Sequence, residues 1–400
     1  MLRPLPGPPN LTRVLTMDGA GIYGLSAGLW LQKMSEAEPD FLKPDQVDLF
    51  AGISSGAVNS LLLARQADPR DGIADIVKLW RSSEPWQPPD SPLDNLLSLY
   101  GLTAWYGEKV FTELLDRMFG DLRMGELPNR VLLCCYDLSD GRTEAAASSG
   151  LQAWEAIFRL IRAQAQPDNG DPSRHWRPVL VSNFLDETWL DFRVADLAYA
   201  ATAMPTMRPV RKGLADAGIF NGNPSTMAII AALDIDGDEG DDPFGLMSRR
   251  LATMAMLSIG DGSKQPFMPQ ERLGWGWLPW MMAPANTLPG TFPPYSYSLQ
   301  PGEQMNDLVA RTLLGSKKYL RLNPPVLAIP CATTCYAARN DLMRTLIIKQ
   351  VEAGCASPAS LLGVDNAVKF VRSPAWSFEG PPRPGGGGSP PDLPIGGEPG

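Results

Sequence analysis

Apolar and polar positions along the first seventy residues follow two alternating periods. Residues 11–17 form a short, mostly apolar run that reads as a buried strand, and a Gly-rich turn follows. Residues 25–36 place Leu29, Trp30 and Met34 on one side, as an amphipathic helix does. The unit then repeats. Residues 47–53 predict a second strand, and residues 55–66, with Ala57, Leu61, Leu62 and Ala64, a second helix. Strand, turn and helix twice over predict an α/β fold. Further strands are expected at 130–136, 253–259 and 319–322. Further helices are expected at 154–165, 194–203, 225–233, 341–352 and 358–371. Residues 265–297 are broken by Pro, Gly and Trp and predict irregular chain. Residues 374–400 are dominated by Pro and Gly, bury too little apolar surface to offset ordering entropy, and predict a flexible tail. The expected folded domain is therefore 11–373.

Composition narrows the function classes. The chain has 400 residues, 44% of them hydrophobic, enough for a substantial core. A net charge of -9 argues against nucleic acid as a partner, because neutralising phosphates takes a basic surface. It also disfavours simple attraction to anionic lipid. Cys134, Cys135, Cys331, Cys335 and Cys355 are odd in number and sparse, which predicts buried thiols rather than a disulfide framework. Met1 to Asn10 carries no apolar signal region, and no run reaches the ~20 apolar residues of a membrane span. The expected compartment is the cytoplasm, with peripheral membrane contact and export without a cleaved signal left open.

Three motifs bear on chemistry. Gly52-Ile53-Ser54-Ser55-Gly56 has the spacing of a nucleophile elbow, where Ser54 would sit on a sharp strand-to-helix turn. The same residues also suit a plain turn in which Ser54 or Ser55 caps a helix. Gly19-Ala20-Gly21-Ile22-Tyr23-Gly24 fits a dinucleotide loop, an inward-facing cradle of N–H groups, or a tight turn. Asp18 beside it, and the lack of an acid ending a second strand ~20 residues on, count against the dinucleotide. His175, the only histidine, lies in a polar stretch and reads as a surface residue. A triad would rest entirely on that residue, so a carboxylate is to be considered as direct partner of the serine. Asp216, in Asp216-Ala217-Gly218, has the small neighbours that close approach needs, and also suits a turn. Together the motifs read as an acyl hydrolase working with a Ser–Asp pair.

The order and spacing of these motifs resemble the patatin-like phospholipases. The resemblance runs over roughly residues 11–325. It includes Ala201-Thr202-Ala203-Met204-Pro205-Thr206, Asn221-Gly222-Asn223-Pro224, Leu257 to Gly262 and Tyr319-Leu320-Arg321-Leu322. It implies a three-layer α/β/α fold around a mostly parallel sheet, the patatin-type variant of the α/β-hydrolase architecture. It implies a lipid acyl hydrolase with Ser54 as nucleophile and Asp216 as proton acceptor. The oxyanion donors would be Gly19, Ala20, Gly21 and Ser55, with Gly24, Gly52, Gly56 and Gly218 as motif glycines. No metal or organic cofactor is implied, and the partner is an acyl-ester lipid. Three departures stand out: Ala20 for the middle loop Gly, Tyr23 where the family usually has Arg or Lys, and Ala217 for a Gly. The alternatives are a binding or storage protein of the same fold with an idle dyad, and a dinucleotide-dependent oxidoreductase using Gly19 to Gly24.

Two further segments invite a reading. Trp275, Trp277 and Trp280, within a Trp- and Met-rich run, suit either a lip that docks on lipid or a loop packed over the core. Residues 234–242 imitate the start of a calcium loop but lack its Gly and Glu at the required positions, so they read as a solvated acidic turn.

Overall fold

The computed structural model describes residues 12–99, 103–138, 177–185, 187–205, 207–211, 213–233, 248, 250–262, 293–327 and 331–376, with backbone alone at 99, 293–301 and 331–333. Seven strands form one sheet: β1 (Arg13–Met17), β2 (Leu49–Ile53), β3 (Val131–Asp137), β4 (Arg177–Ser182), β5 (Leu214–Asp216), β6 (Ala255–Ile259) and β7 (Tyr319–Leu322). The order is β4-β3-β2-β1-β6-β7, with β5 also on β3. From β3 to β7 neighbouring strands along this order are parallel, while β4 and β5 run antiparallel to β3.

Every residue of β2 is buried, as expected of a strand covered on both faces. The two-residue alternation sorts the side chains between two cores. Leu15, Met17, Phe50, Leu133 and Leu257 face one helical layer, and Val14, Leu49, Ala51, Leu132 and Met256 face the other. The first layer contains α1 (Gly24–Ala37), α2 (Ser55–Ala64), α3 (Asp71–Arg81), α5 (Lys109–Phe119) and α6 (Val194–Ala201), with α4 (Pro92–Leu99) peripheral to it. The opposite layer is built by α7 (Ser225–Leu233) and α8 (Pro293–Leu314). Three closing helices, α9 (Cys331–Ala337), α10 (Asp341–Cys355) and α11 (Pro358–Val371), join the first layer. The expected three-layer α/β/α arrangement is therefore present.

Some elements differ from the sequence expectation. Helix α8 begins at Pro293, inside the stretch read as irregular. Proline breaks helices through its missing N–H, but the first turn needs none, so Pro293 and Pro294 open a helix. Helices α3 and α5 carry clear amphipathic periods, Ile73, Ile76, Val77 and Trp80 in one and Phe111, Leu115 and Phe119 in the other. One residue just past the expected boundary at 373 joins the core. Trp376 is 3% exposed and packs against Phe41 and Phe370. The helix expected at 154–165, the acidic turn at 234–242, His175, and Trp275, Trp277 and Trp280 lie outside the described residues.

Close packing of α2 on β1 rests on one glycine. A Cβ at Gly56 would lie 2.1 Å from the Met17 carbonyl oxygen and 2.6 Å from that of Asp18. Both obstacles are backbone and cannot rotate away. Gly56→Ala is therefore expected to destabilise the fold by at least ~3 kcal/mol, the upper range for overpacking. A denaturant midpoint indistinguishable from wild type would contradict this.

Candidate active site

Strand register brings the candidate residues together. Met17 of β1 pairs with Gly52 of β2, so the Gly19 loop and the Ser54 turn leave the sheet side by side at its carboxyl end. A Cβ at Gly19 would stand 3.0 Å from the Ser54 Cβ, which shows how closely the two loops approach. Asp216 arrives from the opposite direction. Strand β4 occupies one edge of β3 from Leu132 to Asp137. On the other edge β2 stops where Ile53 pairs with Cys134, and β5 continues where Asp216 pairs with Cys135. Ser54, one residue past Ile53, thus comes head to head with the end of β5.

The Ser54 backbone has φ 53° and ψ −124°. A non-Gly residue in that region is strained, typically by ~1–3 kcal/mol, and persists only where the surroundings fix it. Here the fixing is tight on both sides. A Cβ at Gly52 would meet the Gly56 carbonyl oxygen at 2.2 Å, so both glycines are required for the turn. The next residue is a tether: the Ser55 hydroxyl accepts the Ala20 N–H at 2.9 Å. Ser55 is buried and tied to the glycine loop, whereas Ser54 is partly open and lines a cavity.

Asp216 is completely buried. Its Oδ1 accepts the Gly218 N–H at 2.8 Å, capping a short 3-10 turn. The turn reading from sequence is thus realised, and it occupies only one carboxylate oxygen. The other, Oδ2, is buried without a hydrogen bond of full geometry. Burial pushes the Asp216 pKa up to about 7, opposed by the Ser54 hydroxyl and then by the Gly218 N–H, both of which favour the charged form. The hydroxyl therefore lies beside the carboxyl, in a contact looser than a finished hydrogen bond. Such contacts commonly tighten only when substrate is bound.

The expected cradle of N–H groups is partly occupied. Gly19 N–H donates to the Gly222 carbonyl at 2.9 Å, and Ala20 N–H to Ser55. Among the described residues no loop or side-chain acceptor takes the Gly21 or Ser55 N–H in this way. Ser55 opens α2, where the first amides have no intrahelical acceptor and the helix dipole is positive.

Behind the loop lies a feature that sequence reading left without a role. Arg321 on β7 donates to both oxygens of Asp18, at 3.2 and 2.6 Å, to the Ser258 hydroxyl at 2.9 Å, and to Glu303. Asp18 N–H in turn donates to the Ile259 carbonyl at 3.0 Å. The start of the glycine loop is therefore anchored from beneath. Tyr23, at the position where the resembled family usually has a cation, is buried in the core beside α1.

Ser54, Asp216 and the Gly19–Gly21 loop share a cavity of about 70 Å³. Its far walls are aromatic and thioether side chains: Trp80, Trp86, Tyr106, Phe111, Met204 and Met207. Trp86 packs against both Trp80 and Tyr106. Arg208 also lines this cavity.

The patatin-like phospholipase family model matches residues 15–229, which contain every element of this arrangement except the anchor from Ser258, Ile259, Glu303 and Arg321. The chain belongs to that family. Patatin-like protein 1 of Arabidopsis thaliana is 21% identical over 83% of this chain and 79% of its own length. Protein teg of Priestia megaterium is 22% identical over 69% and 70%, and Patatin-03 of Solanum tuberosum is 22% identical over 68% and 67%. Among the described residues no helix is long and apolar enough to cross a membrane.

Proposed function

We propose that this chain is a serine lipid acyl hydrolase in which Ser54 is the nucleophile and Asp216 the base. The observation that carries the reading is the pairing of a strained, partly open serine with a buried carboxyl that keeps one oxygen free. An ordinary aspartate is a weak base at neutral pH. With its pKa raised to about 7, Asp216 is matched to proton transfer near neutrality.

In this reading Ser54 Oγ attacks the ester carbonyl while Asp216 Oδ2 takes the hydroxyl proton. The tetrahedral oxyanion is met by the N–H groups of Gly21 and Ser55. Asp216 returns the proton to the leaving alcohol, giving an acyl-enzyme. Water then attacks the acyl group with Asp216 again as base, and Ser54 is released. Gly19 and Ala20, expected as donors, serve better as the fixed frame of the loop, because their amides already have acceptors. The same engagement tells against the dinucleotide alternative, which needs a row of free amides for a pyrophosphate. The aromatic cavity suits the acyl or alcohol portion of a lipid ester.

The test is covalent labelling together with turnover. A fluorophosphonate probe should label the wild type, and Ser54→Ala should lose both the label and hydrolysis of acyl esters, by on the order of 10⁴-fold or more. Labelling that persists in Ser54→Ala would assign the nucleophile elsewhere. A wild-type protein that takes no label and turns over no ester would favour the binding-protein alternative.

A further inference from the structure

Arg208 has no part in the reaction just described, yet it lies in the same cavity. The residue is 5% exposed. Its guanidinium sits 3.9 Å from the centre of the Phe111 ring and 5.0 Å from that of Tyr106. Nη2 donates to the Pro85 carbonyl, while Nη1 is buried with no hydrogen-bond partner among the described residues. Among the described residues no carboxylate forms an ion pair with it.

Buried charges in proteins are ordinarily paired. The contrast within this chain is direct. Arg321, equally buried, is held by two carboxylates, and Arg344 by Asp341. Ring faces attract a cation but do not satisfy a guanidinium N–H. Burial alone pushes the Arg208 pKa down, yet an arginine stays charged at any physiological pH. The cavity wall therefore includes a positive charge that no carboxylate among the described residues offsets.

We infer that Arg208 is a specificity-determining residue that receives an oxyanion carried by the substrate, a carboxylate or a phosphate, within a few bonds of the scissile ester. The short reach follows from the lining of one cavity by Ser54, Asp216 and Arg208 together. A plain hydrocarbon tail leaves the guanidinium without a counter-charge, whereas an oxyanion supplies it. The favoured substrates are thus short-reach anionic esters, such as a monoester of a dicarboxylic acid or an acyl ester next to a phosphate. This inference rests on the ester-hydrolase reading for its chemistry, but the binding it predicts is independent of turnover.

Two arms test it. In the first, inorganic phosphate and glutarate are titrated calorimetrically into Ser54→Ala protein, with and without Arg208→Met. Binding of at least one anion that disappears with Arg208→Met is expected, and which anion binds tells the phosphate source from the carboxylate source. Binding of neither anion, or binding unaffected by Arg208→Met, overturns the inference even if the enzyme proves to be an esterase. In the second arm, matched soluble esters are compared: nitrophenyl butyrate with the mono-nitrophenyl ester of glutarate, and a monoacylglycerol with the corresponding lysophosphatidate. The wild type should prefer the anionic member of at least one pair. Arg208→Met should lower the anionic-to-neutral ratio of kcat/KM by about tenfold or more, with Arg208→Lys between. An equal fall for both members would mark Arg208 as a packing residue. Should Arg208→Met fail to fold, the wild type decides alone: no anionic preference and no competition by phosphate or glutarate refutes the assignment. Absence of turnover on every ester would sink the hydrolase reading instead, leaving the calorimetric arm to judge Arg208.

Discussion

Replacing Asp216 with asparagine is expected to remove ester turnover and, at pH 8, to make the protein harder to unfold. Both effects follow from one buried carboxyl. Burial raises its pKa from the ordinary carboxylate value of 3.8 to about 7 in the fold. The sign is as follows. Between those two values the folded state binds a proton that the unfolded state has released. Stability therefore falls as pH rises through this window, and the penalty is fully present above pH ~7. A rise of about three units corresponds to roughly 4 kcal/mol. Asparagine carries no charge, keeps an oxygen for the Gly218 N–H, and is nearly isosteric. It should recover much of that energy at pH 8 and little near pH 4. Some is given back because its amide N–H₂ takes the Oδ2 position, where the Ser54 hydroxyl oxygen can accept only one of the two protons. Urea unfolding at pH 4.5 and 8 measures the difference directly. In the wild type the same group predicts an acid limb in kcat/KM centred near pH 7, since only the ionised carboxylate can take the serine proton. Asn cannot act as that base, so a loss on the order of 10⁴ is expected. An Asp216→Asn protein that is less stable than wild type at pH 8, or that keeps its turnover, would refute this account of the site.

A site that is unstable in its resting state is legible in sequence to different degrees. Ser54 was readable because its turn demands Gly52 and Gly56, and a backbone demand leaves a fixed spacing. Asp216 stood out as a candidate through its small neighbours and through the motif order that resembles the patatin-like phospholipases. Their convergence was not readable. It depends on β2 ending one rung before β5 begins, and the three-residue β5 has no periodicity to detect. The engagement of Gly19 and Ala20 was equally invisible, because it is set by the Gly222 carbonyl and by which way the Ser55 hydroxyl faces. Arg208 and Glu303 carry no local signal: each is an isolated polar residue until the fold buries it. Among secondary elements, the parallel strands were plain as apolar runs. The opening of α8 was hidden because proline at a helix start and proline in a loop look alike in sequence.

Arg321→Met is the structural counterpart of the Asp216 experiment, with the opposite sign. Arg321 holds Asp18 and Glu303 at once, and all three side chains are almost wholly buried. Burial already pushes Asp18 up to about 6 and Glu303 well above its ordinary value, while the guanidinium pulls both back. Methionine fills similar space without that charge and leaves Asp18 and Glu303 beside each other and near the buried Asp261. Breaking a buried pair in this way typically costs about 3–5 kcal/mol. The deficit must depend on pH. In the variant both folded-state pKa values rise further, so the folded protein keeps its protons while the unfolded chain loses them above pH ~4. The gap in stability to wild type should therefore be widest at pH 8 and shrink towards pH 4. Catalysis should suffer through the loop. Asp18 is the first residue after β1, and with its anchor gone the Gly21 N–H loses its fixed position beside Ser54. The nucleophile itself is untouched, so fluorophosphonate labelling should persist but slow, and kcat should fall by roughly the 10²–10³-fold that one lost oxyanion donor represents. Arg321→Lys restores charge without the two-armed fork and should recover stability more than rate. If Arg321→Met matches wild type in unfolding at pH 8, the ion cluster does not support the loop, and the positioning of Gly21 must be sought in Ser55 and Gly222 alone.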